Sequence, residues 1–193
     1  MNLLETRFSF SLFFCLLLFV QNLSAQTDCQ PPPIVFNKNA ENIFNERQEM
    51  DLGDAMIERL QKDYRVIDDE QVNQYLQGIA DRLSKHLPAT NIKFRLVVAD
   101  LPDTNAYAMA GGRIFVTRKL ISFVRSEDEL AGVIAHELGH ATVRHGAIDM
   151  SRYFKQILGV SQVGDRRDVF EKYNLFIHVG FNTPSACCGV VRK

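Results

Sequence analysis

The fold is decided by residues 126–140, which read SEDELAGVIAHELGH. Ser126 and Glu129 form the pattern of a capping box, in which a hydroxyl and a carboxylate satisfy free N–H groups at the start of a helix. Apolar residues then recur every three or four positions, as on the buried face of a helix. The pattern predicts a helix over Glu127–His145, with its buried positions at Leu130, Val133, Ile134, Leu138 and Ala141.

The same helix carries two histidines four residues apart, His136 and His140. Residues at this spacing project from one helical face, so both imidazoles can bind a single tetrahedral Zn²⁺. Glu137 lies about 100° further round the helix, where it borders the site and can take up a proton from water on the metal. We therefore predict one Zn²⁺ per chain, with His136 and His140 as ligands and Glu137 as the catalytic base. The alternative is an exposed helical turn that carries these residues by coincidence.

His145 raises the question of a further histidine ligand. The pattern H-E-x-x-H-x-x-G-x-x-H would need Gly at 143 and His at 146, and the sequence has Val143 and Gly146, which excludes that class of site. On a continuous helix His145 lies about 140° round from His140. It is therefore expected to support the ligands or to end the helix, where the C-terminal dipole favours it, rather than to bind the metal.

Hydrophobic periodicity predicts the remaining elements. A strand is predicted over Ile92–Val98, half-buried because polar and apolar residues alternate, and a hairpin is predicted where two β-prone segments flank a Gly-Gly pair. The predicted helices cover Glu46–Tyr64, a segment from Asp68 or Asp69 to Leu87, Arg118–Val124, Ile148–Leu158 and, with looser periodicity, Asp168–Phe176; the hairpin joins Asn105–Met109 to Arg113–Thr117. The fold class is α+β, mainly helical, with a small antiparallel sheet or hairpin next to the zinc helix.

The N-terminus has the pattern of a secretory signal peptide. Phe8–Val20 is apolar but too short to cross a bilayer, Arg7 precedes it, and Leu23-Ser24-Ala25 offers a cleavage site after a small residue. We predict a signal peptide over residues 1–25 and an exported, periplasmic or extracellular protein, with a retained anchor as the alternative. An extended, proline-rich leader over 26–40, a catalytic domain over 41–177 and an unpatterned tail over 178–193 would follow.

Composition and charge narrow the possible partners. With 46% hydrophobic and 23% charged residues, the 193-residue chain is globular in composition. Its net charge of −1 offers no cationic face, so no nucleic-acid partner is expected. Cleavage of the signal peptide would leave three cysteines, Cys29, Cys187 and Cys188. Two arrangements are possible: a disulfide from Cys29 to one of the other two, or three free thiols.

Residues 105–117 read NAYAMAGGRIFVT and lead into the His136–His140 motif. This combination resembles the HtpX-like and CaaX-prenyl-endopeptidase family of zinc metallopeptidases (peptidase family M48), particularly its exported bacterial members, over about residues 40–175. The resemblance implies a gluzincin-type endopeptidase that cleaves proteins or peptides, such as misfolded or envelope polypeptides. It implies membrane contact only through the transient signal peptide or peripheral association.

The resemblance also implies a third zinc ligand, a glutamate in an E-x-x-x-D segment of a later helix. After His140 the sequence contains one glutamate, Glu171, and Leu175 stands where the aspartate is expected. Glu171 is the candidate third ligand, ahead of the three aspartates that follow the motif, Asp149, Asp165 and Asp168. We expect instead that the chain ends before the third ligand, as a truncated gene product would. The alternative function is therefore an inactive relative that binds polypeptides as a chaperone-like module.

The family resemblance also implies that the hairpin provides the edge strand above the substrate cleft. An extended substrate could pair with this edge through main-chain hydrogen bonds. The alternative is that the hairpin is a buried corner of the sheet. The substrate-binding residues expected from the resemblance are Asn105, Ala106, Tyr107, Ala108, Gly111 and Gly112.

Overall fold

A computed structural model describes residues 41–88 and 90–182 of the chain. The predicted signal peptide and leader, and Cys29, Cys187 and Cys188, lie outside these residues. The helices and strands confirm the α+β class. They are α1 Glu46–Asp63, β1 Val66–Ile67, α2 Glu70–Ser84, β2 Arg95–Ala99, β3 Ala106–Ala108, β4 Arg113–Thr117, α3 Arg118–Phe123, α4 Glu127–Thr142, α5 His145–Tyr153 and α6 Arg166–Asn182. None of the helices found in this part of the chain combines the length and apolarity needed to span a bilayer.

The four strands form one sheet in the order β1-β2-β4-β3. β1 pairs with β2 and β3 with β4 in antiparallel fashion, whereas β2 and β4 are parallel. The sheet is therefore mixed rather than wholly antiparallel. The predicted hairpin is present, and Gly111 and Gly112 turn it with φ angles of 63° and 75°. Such positive values cost glycine little, because it has no Cβ.

One face of the sheet packs against α2 and α4. Leu96 and Val98 of β2 and Ile114 and Val116 of β4 are buried there. The helices contribute buried residues from successive turns, namely Leu76, Ile79 and Ala80 of α2 and Leu130, Ile134 and Leu138 of α4. The helix predicted to carry the zinc site thus packs against the sheet through Leu130, Ile134 and Leu138.

The opposite face of the sheet is covered by α1. Ala99 of β2 packs there with Leu60 of α1 and Met109, which follows β3. Because both faces of β2 are covered, its residues 96–99 are all buried, and the predicted half-buried alternation is wrong for this strand. The strand begins at Arg95, so Ile92 and Phe94 precede it.

A second core joins α1 to the last two helices. Phe154 is fully buried at its centre, with the ring of Phe44 at 5.6 Å and that of Phe176 at 6.2 Å. Phe154 opens a five-residue π-helical segment, Phe154–Leu158, that continues α5. The single helix predicted over Ile148–Leu158 is therefore α5 followed by this π segment.

Several helix ends differ from the predicted ones. α2 is capped by the Asp69 carboxylate, which accepts a hydrogen bond from the Val72 N–H, but it ends at Ser84 rather than near Leu87. α6 continues to Asn182, beyond the last residue of the predicted domain, 177. The two-residue strand β1, between α1 and α2, is an element that the sequence does not predict.

The helix α1 buries carboxylates that the periodicity did not indicate. Met50 and Tyr64, two apolar residues within the predicted range of this helix, are exposed, whereas Glu49 and Asp51 are buried. Each buried carboxylate has a cationic partner: Arg144 lies 2.9 Å from Glu49 and Arg166 lies 2.7 Å from Asp51. Buried charges persist in proteins when they are paired in this way.

Asp54 continues this set of ion pairs along α1. It binds Arg113 of β4 at 2.6 Å and Arg166 of α6 at 3.1 Å. Although burial acts to raise the pKa of Asp54, the hydrogen bonds from Arg113 and Arg166 hold it below its ordinary value. The ion pairs therefore connect α1 to both the hairpin and the last helix.

A close backbone contact fixes α1 on the hairpin turn. A Cβ atom at Gly53 would lie 2.3 Å from the carbonyl oxygen of Ala110, which is far inside van der Waals contact. Gly78, in the interior of α2, has no atom within 4 Å of the corresponding position. The two glycines therefore share a helical position but differ in their surroundings, so alanine substitutions at the two sites can be compared directly.

We expect Gly53→Ala to lower the free energy of unfolding by about 1–3 kcal/mol, because backbone atoms must move apart. Gly78→Ala is expected to raise it by about 0.5–1 kcal/mol, since alanine loses less chain entropy in a helix. Urea titration followed by circular dichroism measures both. Equal effects of the two substitutions would contradict the close contact.

Candidate zinc site

The zinc helix α4 begins as the sequence predicts. The Ser126 hydroxyl accepts a hydrogen bond from the Glu129 N–H at 3.2 Å. The Glu129 carboxylate accepts from the Arg125 N–H at 2.8 Å, one residue before the partner that a capping box would use. Glu127, Asp128 and Glu129 all lie in the first turn, where the helix dipole favours negative charge. The helix ends at Thr142, so the predicted end at His145 is wrong by three residues.

His136 and His140 lie together on one face of α4. Their Nε2 atoms are 3.0 Å apart, and their rings meet edge to face with centroids 4.6 Å apart. Zinc-bound imidazoles have Zn–N distances of 2.0–2.1 Å, which places two ligand nitrogens of a tetrahedral ion about 3.3 Å apart. The observed separation is close to this value. The two rings therefore fit a shared Zn²⁺.

The protonation of His140 also favours metal binding. Partial burial lowers the pKa of His140, and the neighbouring rings of His136 and His145 act in the same direction, whereas Glu137 opposes them. A lowered pKa keeps the imidazole neutral, and only a neutral imidazole can donate its nitrogen lone pair to a metal. The shift favours the neutral form that a zinc ligand requires, although Asp149 as well as Glu137 opposes it.

Glu137 faces the hairpin and is buried despite its charge. Its Oε2 accepts a hydrogen bond from the Ala108 N–H of β3 at 2.7 Å. A hydrogen bond to a carboxylate is stronger than one between neutral groups, so it fixes the rotamer of the side chain. Sequence reasoning did not find this contact, because β3 lies 29 residues from Glu137 along the chain.

β3 is an edge strand, and its hydrogen bonds alternate between β4 and the open side. On the β4 side, the Thr117 N–H donates to the Asn105 carbonyl and the Met109 N–H donates to the Arg113 carbonyl. The backbone groups of Ala106 and Ala108 therefore face the open edge. The Ala106 N–H already binds the Asn105 side chain at 2.9 Å, and the Ala108 N–H binds Glu137. The carbonyl oxygens of Ala106 and Ala108 remain directed to this edge.

The other expected substrate-binding residues differ in their surroundings. Tyr107 is 39% exposed and its ring packs on Phe115 at 4.7 Å. A Cβ atom at Gly111 would lie 2.5 Å from the Glu49 carbonyl oxygen, and one at Gly112 would lie 2.8 Å from that of Lys93. The two glycines thus pack against the body of the protein.

His145 lies next to His140, one of the predicted metal ligands, because of the way the chain turns after α4. The chain leaves α4 at Val143, and Arg144 adopts a left-handed conformation with φ 61°. His145 is then the first residue of α5, where its Nδ1 lies 2.6 Å from the Nδ1 of His140. It therefore occupies a helix N-terminus, and the expected stabilisation by a C-terminal dipole is wrong. No local sequence signal marks this turn, because arginine rarely adopts a positive φ.

Glu171 does not join the histidine pair. It lies on α6, where it accepts a hydrogen bond from Arg167 at 2.8 Å on an exposed face. Asp165 and Asp168 bind backbone N–H groups at the start of the same helix, and Asp149 pairs with Arg152. Across residues 41–88 and 90–182, no group of three or more histidine, cysteine, aspartate or glutamate side chains is arranged so that it could hold a metal ion.

Comparison with known protein families gives a match over more than half of the chain. The sequence profile of the family described as Peptidase family M48 matches residues 69–188, which include α4 and both histidines. The matched segment begins at the N-cap of α2 and extends past the end of α6.

Curated relatives resemble the chain over shorter segments. The Beta-barrel assembly-enhancing protease of Escherichia coli (strain K12) is 32% identical over 98 residues, which are 51% of this chain and 20% of that protein. The Mitochondrial metalloendopeptidase OMA1 of Schizosaccharomyces pombe is 33% identical over 73 residues, 38% of this chain and 22% of that protein. Metalloprotease YcaL of Escherichia coli (strain K12) is 32% identical over 75 residues, 39% of this chain and 28% of that protein. The matched segments therefore span only 20–28% of the length of these relatives.

Proposed function

Because the chain belongs to peptidase family M48, we propose that it is a zinc-dependent metalloendopeptidase that hydrolyses peptide bonds within protein substrates. The observation that carries the proposal is the convergence of the His136 and His140 Nε2 atoms, 3.0 Å apart, beside the buried carboxylate of Glu137. The names of the relatives support the same class of activity, since each is called a protease or a metalloendopeptidase.

His136 and His140 would hold the Zn²⁺, one per chain. When bound, the ion lowers the pKa of water and polarises the scissile carbonyl. Catalytic zinc sites usually have three protein ligands, and the described part of the chain supplies these two imidazoles.

Glu137 is the residue that moves the proton. Its carboxylate takes a proton from the attacking water and delivers it to the nitrogen of the leaving amine as the peptide bond breaks. The Ala108 N–H holds Oε2, so Oε1 is the oxygen left for this transfer. Burial of Glu137 strengthens its interactions with neighbouring charges, because the local dielectric is low.

The open edge of β3 is proposed to bind an extended substrate segment. The carbonyls of Ala106 and Ala108 can accept hydrogen bonds from substrate N–H groups, whereas the two outward N–H groups already have side-chain partners. Tyr107 and Asn105 border this edge and would contact the segment. Recognition of the main chain gives little selectivity for side chains, which is consistent with unfolded polypeptides as substrates. Export to the periplasm or cell exterior remains part of this proposal.

Zinc-dependent cleavage tests the proposal. We expect the purified protein to cleave unfolded casein, to lose this activity when 1,10-phenanthroline removes the metal, and to recover it with stoichiometric Zn²⁺. Mass spectrometry of the fragments measures internal cleavage, and inductively coupled plasma analysis measures the zinc content. A folded protein that binds casein without metal-dependent cleavage would contradict the enzyme assignment and support the alternative, a polypeptide-binding module.

A further inference from the structure

Three histidine rings form a row at the end of the zinc helix. His140 is in the middle, with His136 on its Nε2 side at 3.0 Å and His145 on its Nδ1 side at 2.6 Å. The ring centroids of His140 and His145 are 4.8 Å apart. His140 thus uses its two nitrogens in opposite directions, one towards the proposed metal position and the other towards His145.

This arrangement can accommodate the tautomer that His140 needs as a zinc ligand. A ring that ligates zinc through Nε2 carries its proton on Nδ1, and zinc-bound histidines nearly always donate that N–H to an acceptor. The nitrogen 2.6 Å away on His145 is such an acceptor when its own proton is on Nε2. His145 lies on the side of His140 opposite the ligating nitrogen, so it acts on the ligand rather than on the metal.

The turn before His145 is anchored to a distant helix. Arg144 has a positive φ, which costs a residue with a side chain about 1–2 kcal/mol. Its guanidinium binds Glu49 and Glu46 of α1, each at 2.9 Å. Glu49 is buried and also accepts a hydrogen bond from Asn42 at 2.6 Å. Strained backbone conformations persist where the surrounding structure holds them in place. Here the ion pairs with Glu46 and Glu49 hold Arg144 in its left-handed conformation.

The residue after His145 fixes the turn from the other side. A Cβ atom at Gly146 would lie 2.8 Å from the Ala110 nitrogen and 2.9 Å from the Met109 carbonyl carbon. The start of α5 therefore rests directly on the backbone of the hairpin turn. His145 is held between two anchors, one on α1 and one on the hairpin, and neither contact involves the zinc helix.

We propose that His145 is a positioning residue for the zinc site, which accepts the Nδ1 proton of His140 and so orients the Nε2 lone pair of His140 towards the metal. This inference rests on the proposed zinc site. It also explains the Arg144 turn, which places His145, at the N-terminus of α5, beside the Nδ1 atom of His140. Spacing along a continuous helix would have placed His145 elsewhere.

Metal affinity and histidine tautomers test this role. For His145→Ala we expect Zn²⁺ to bind about 10–100-fold more weakly, as is typical when the hydrogen-bond partner of a ligand is lost. His145→Asn is expected to recover most of the affinity, because its Oδ1 can accept from the His140 N–H. His86→Ala, which changes an exposed histidine beyond α2, is the matched control and should bind Zn²⁺ as the unmodified protein does. Competition with a chromophoric chelator measures the affinities.

The metal-free protein gives a second, independent measurement. Long-range ¹H–¹⁵N spectra should show His140 protonated at Nδ1 in the unmodified chain and in His145→Asn, and a mixture of tautomers in His145→Ala. Unchanged zinc affinity and an unchanged His140 tautomer in His145→Ala would overturn the proposal. Tight zinc binding by the unmodified chain without any casein cleavage would count against the proposed enzyme activity alone. Circular dichroism establishes that each variant is folded.

Discussion

Replacing Glu137 with glutamine is expected to lower kcat for peptide cleavage by about two to four orders of magnitude, the usual contribution of a general base. Glutamine has the same shape as glutamate but cannot take up the proton from water. Its amide oxygen can still accept a hydrogen bond from the Ala108 N–H, so the side chain should keep its place. We therefore expect zinc content and the free energy of unfolding to change little. Cleavage of a quenched fluorescent peptide measures the loss.

Glu171→Gln is the matched control for this experiment. Glu171 pairs with Arg167 on an exposed surface of α6, and the described residues place no histidine pair beside it. Its replacement should leave both kcat and zinc content within about twofold, because isolated surface ion pairs contribute little. A loss of zinc in Glu171→Gln would instead restore this residue as the third ligand. Full activity in Glu137→Gln would exclude Glu137 as the base.

Replacing Phe154 with alanine is expected to lower the free energy of unfolding by about 3–5 kcal/mol. The side chain is fully buried, and its removal would leave a cavity between the rings of Phe44 and Phe176. Ion pairs of Arg144 and Arg166 with α1, as well as this core, hold the surrounding helices in place. The helices therefore cannot move freely to fill the cavity. Urea titration followed by intrinsic tyrosine fluorescence or circular dichroism measures the change.

Ile157 provides the comparison for Phe154. It lies in the same π-helical segment but is 38% exposed. Ile157→Ala should therefore cost only about 0.5 kcal/mol, as surface substitutions usually do. If the two substitutions were equally destabilising, the effect would come from the π-helical backbone rather than from the buried ring.

The elements that could be predicted were those whose signals are local. α1 and α4 have N-cap residues and regular apolar spacing in the sequence, and both begin at the predicted residue. The hairpin was predictable because a Gly-Gly pair permits the positive φ angles at its turn. β1 has two residues and exists only because β2 lies beside it. Such a strand has no periodicity of its own.

The strand order of the sheet and the burial of charged residues on α1 could not be predicted, because both depend on contacts between residues far apart in the sequence. β3 lies at the edge of the sheet, outside β4, so β2 and β4 are parallel neighbours. No spacing in the sequence indicates this strand order. Glu49 and Asp51 are buried because Arg144 and Arg166 reach them from other helices. Helical periodicity counts charged residues as exposed, so it could not include them.

The centre of the proposed zinc site could be predicted from the sequence, but its surroundings could not. His136, Glu137 and His140 are adjacent in the sequence, and helical geometry alone brings them together. The contact of Glu137 with Ala108 requires the fold of the hairpin against α4. The approach of His145 to His140 requires the Arg144 turn, whose partners Glu46 and Glu49 lie 98 and 95 residues away in the chain.

The occupied N–H groups of β3 also bear on self-association. An unprotected edge strand can pair with the same strand of another molecule, since each offers donors and acceptors in register. Here the outward donors of Ala106 and Ala108 are already bound within the molecule, and the strand has only three residues. Two copies that met edge to edge would bring carbonyl oxygen against carbonyl oxygen. Aggregation through this edge is thereby disfavoured, although a polypeptide that supplies N–H groups can still bind to it.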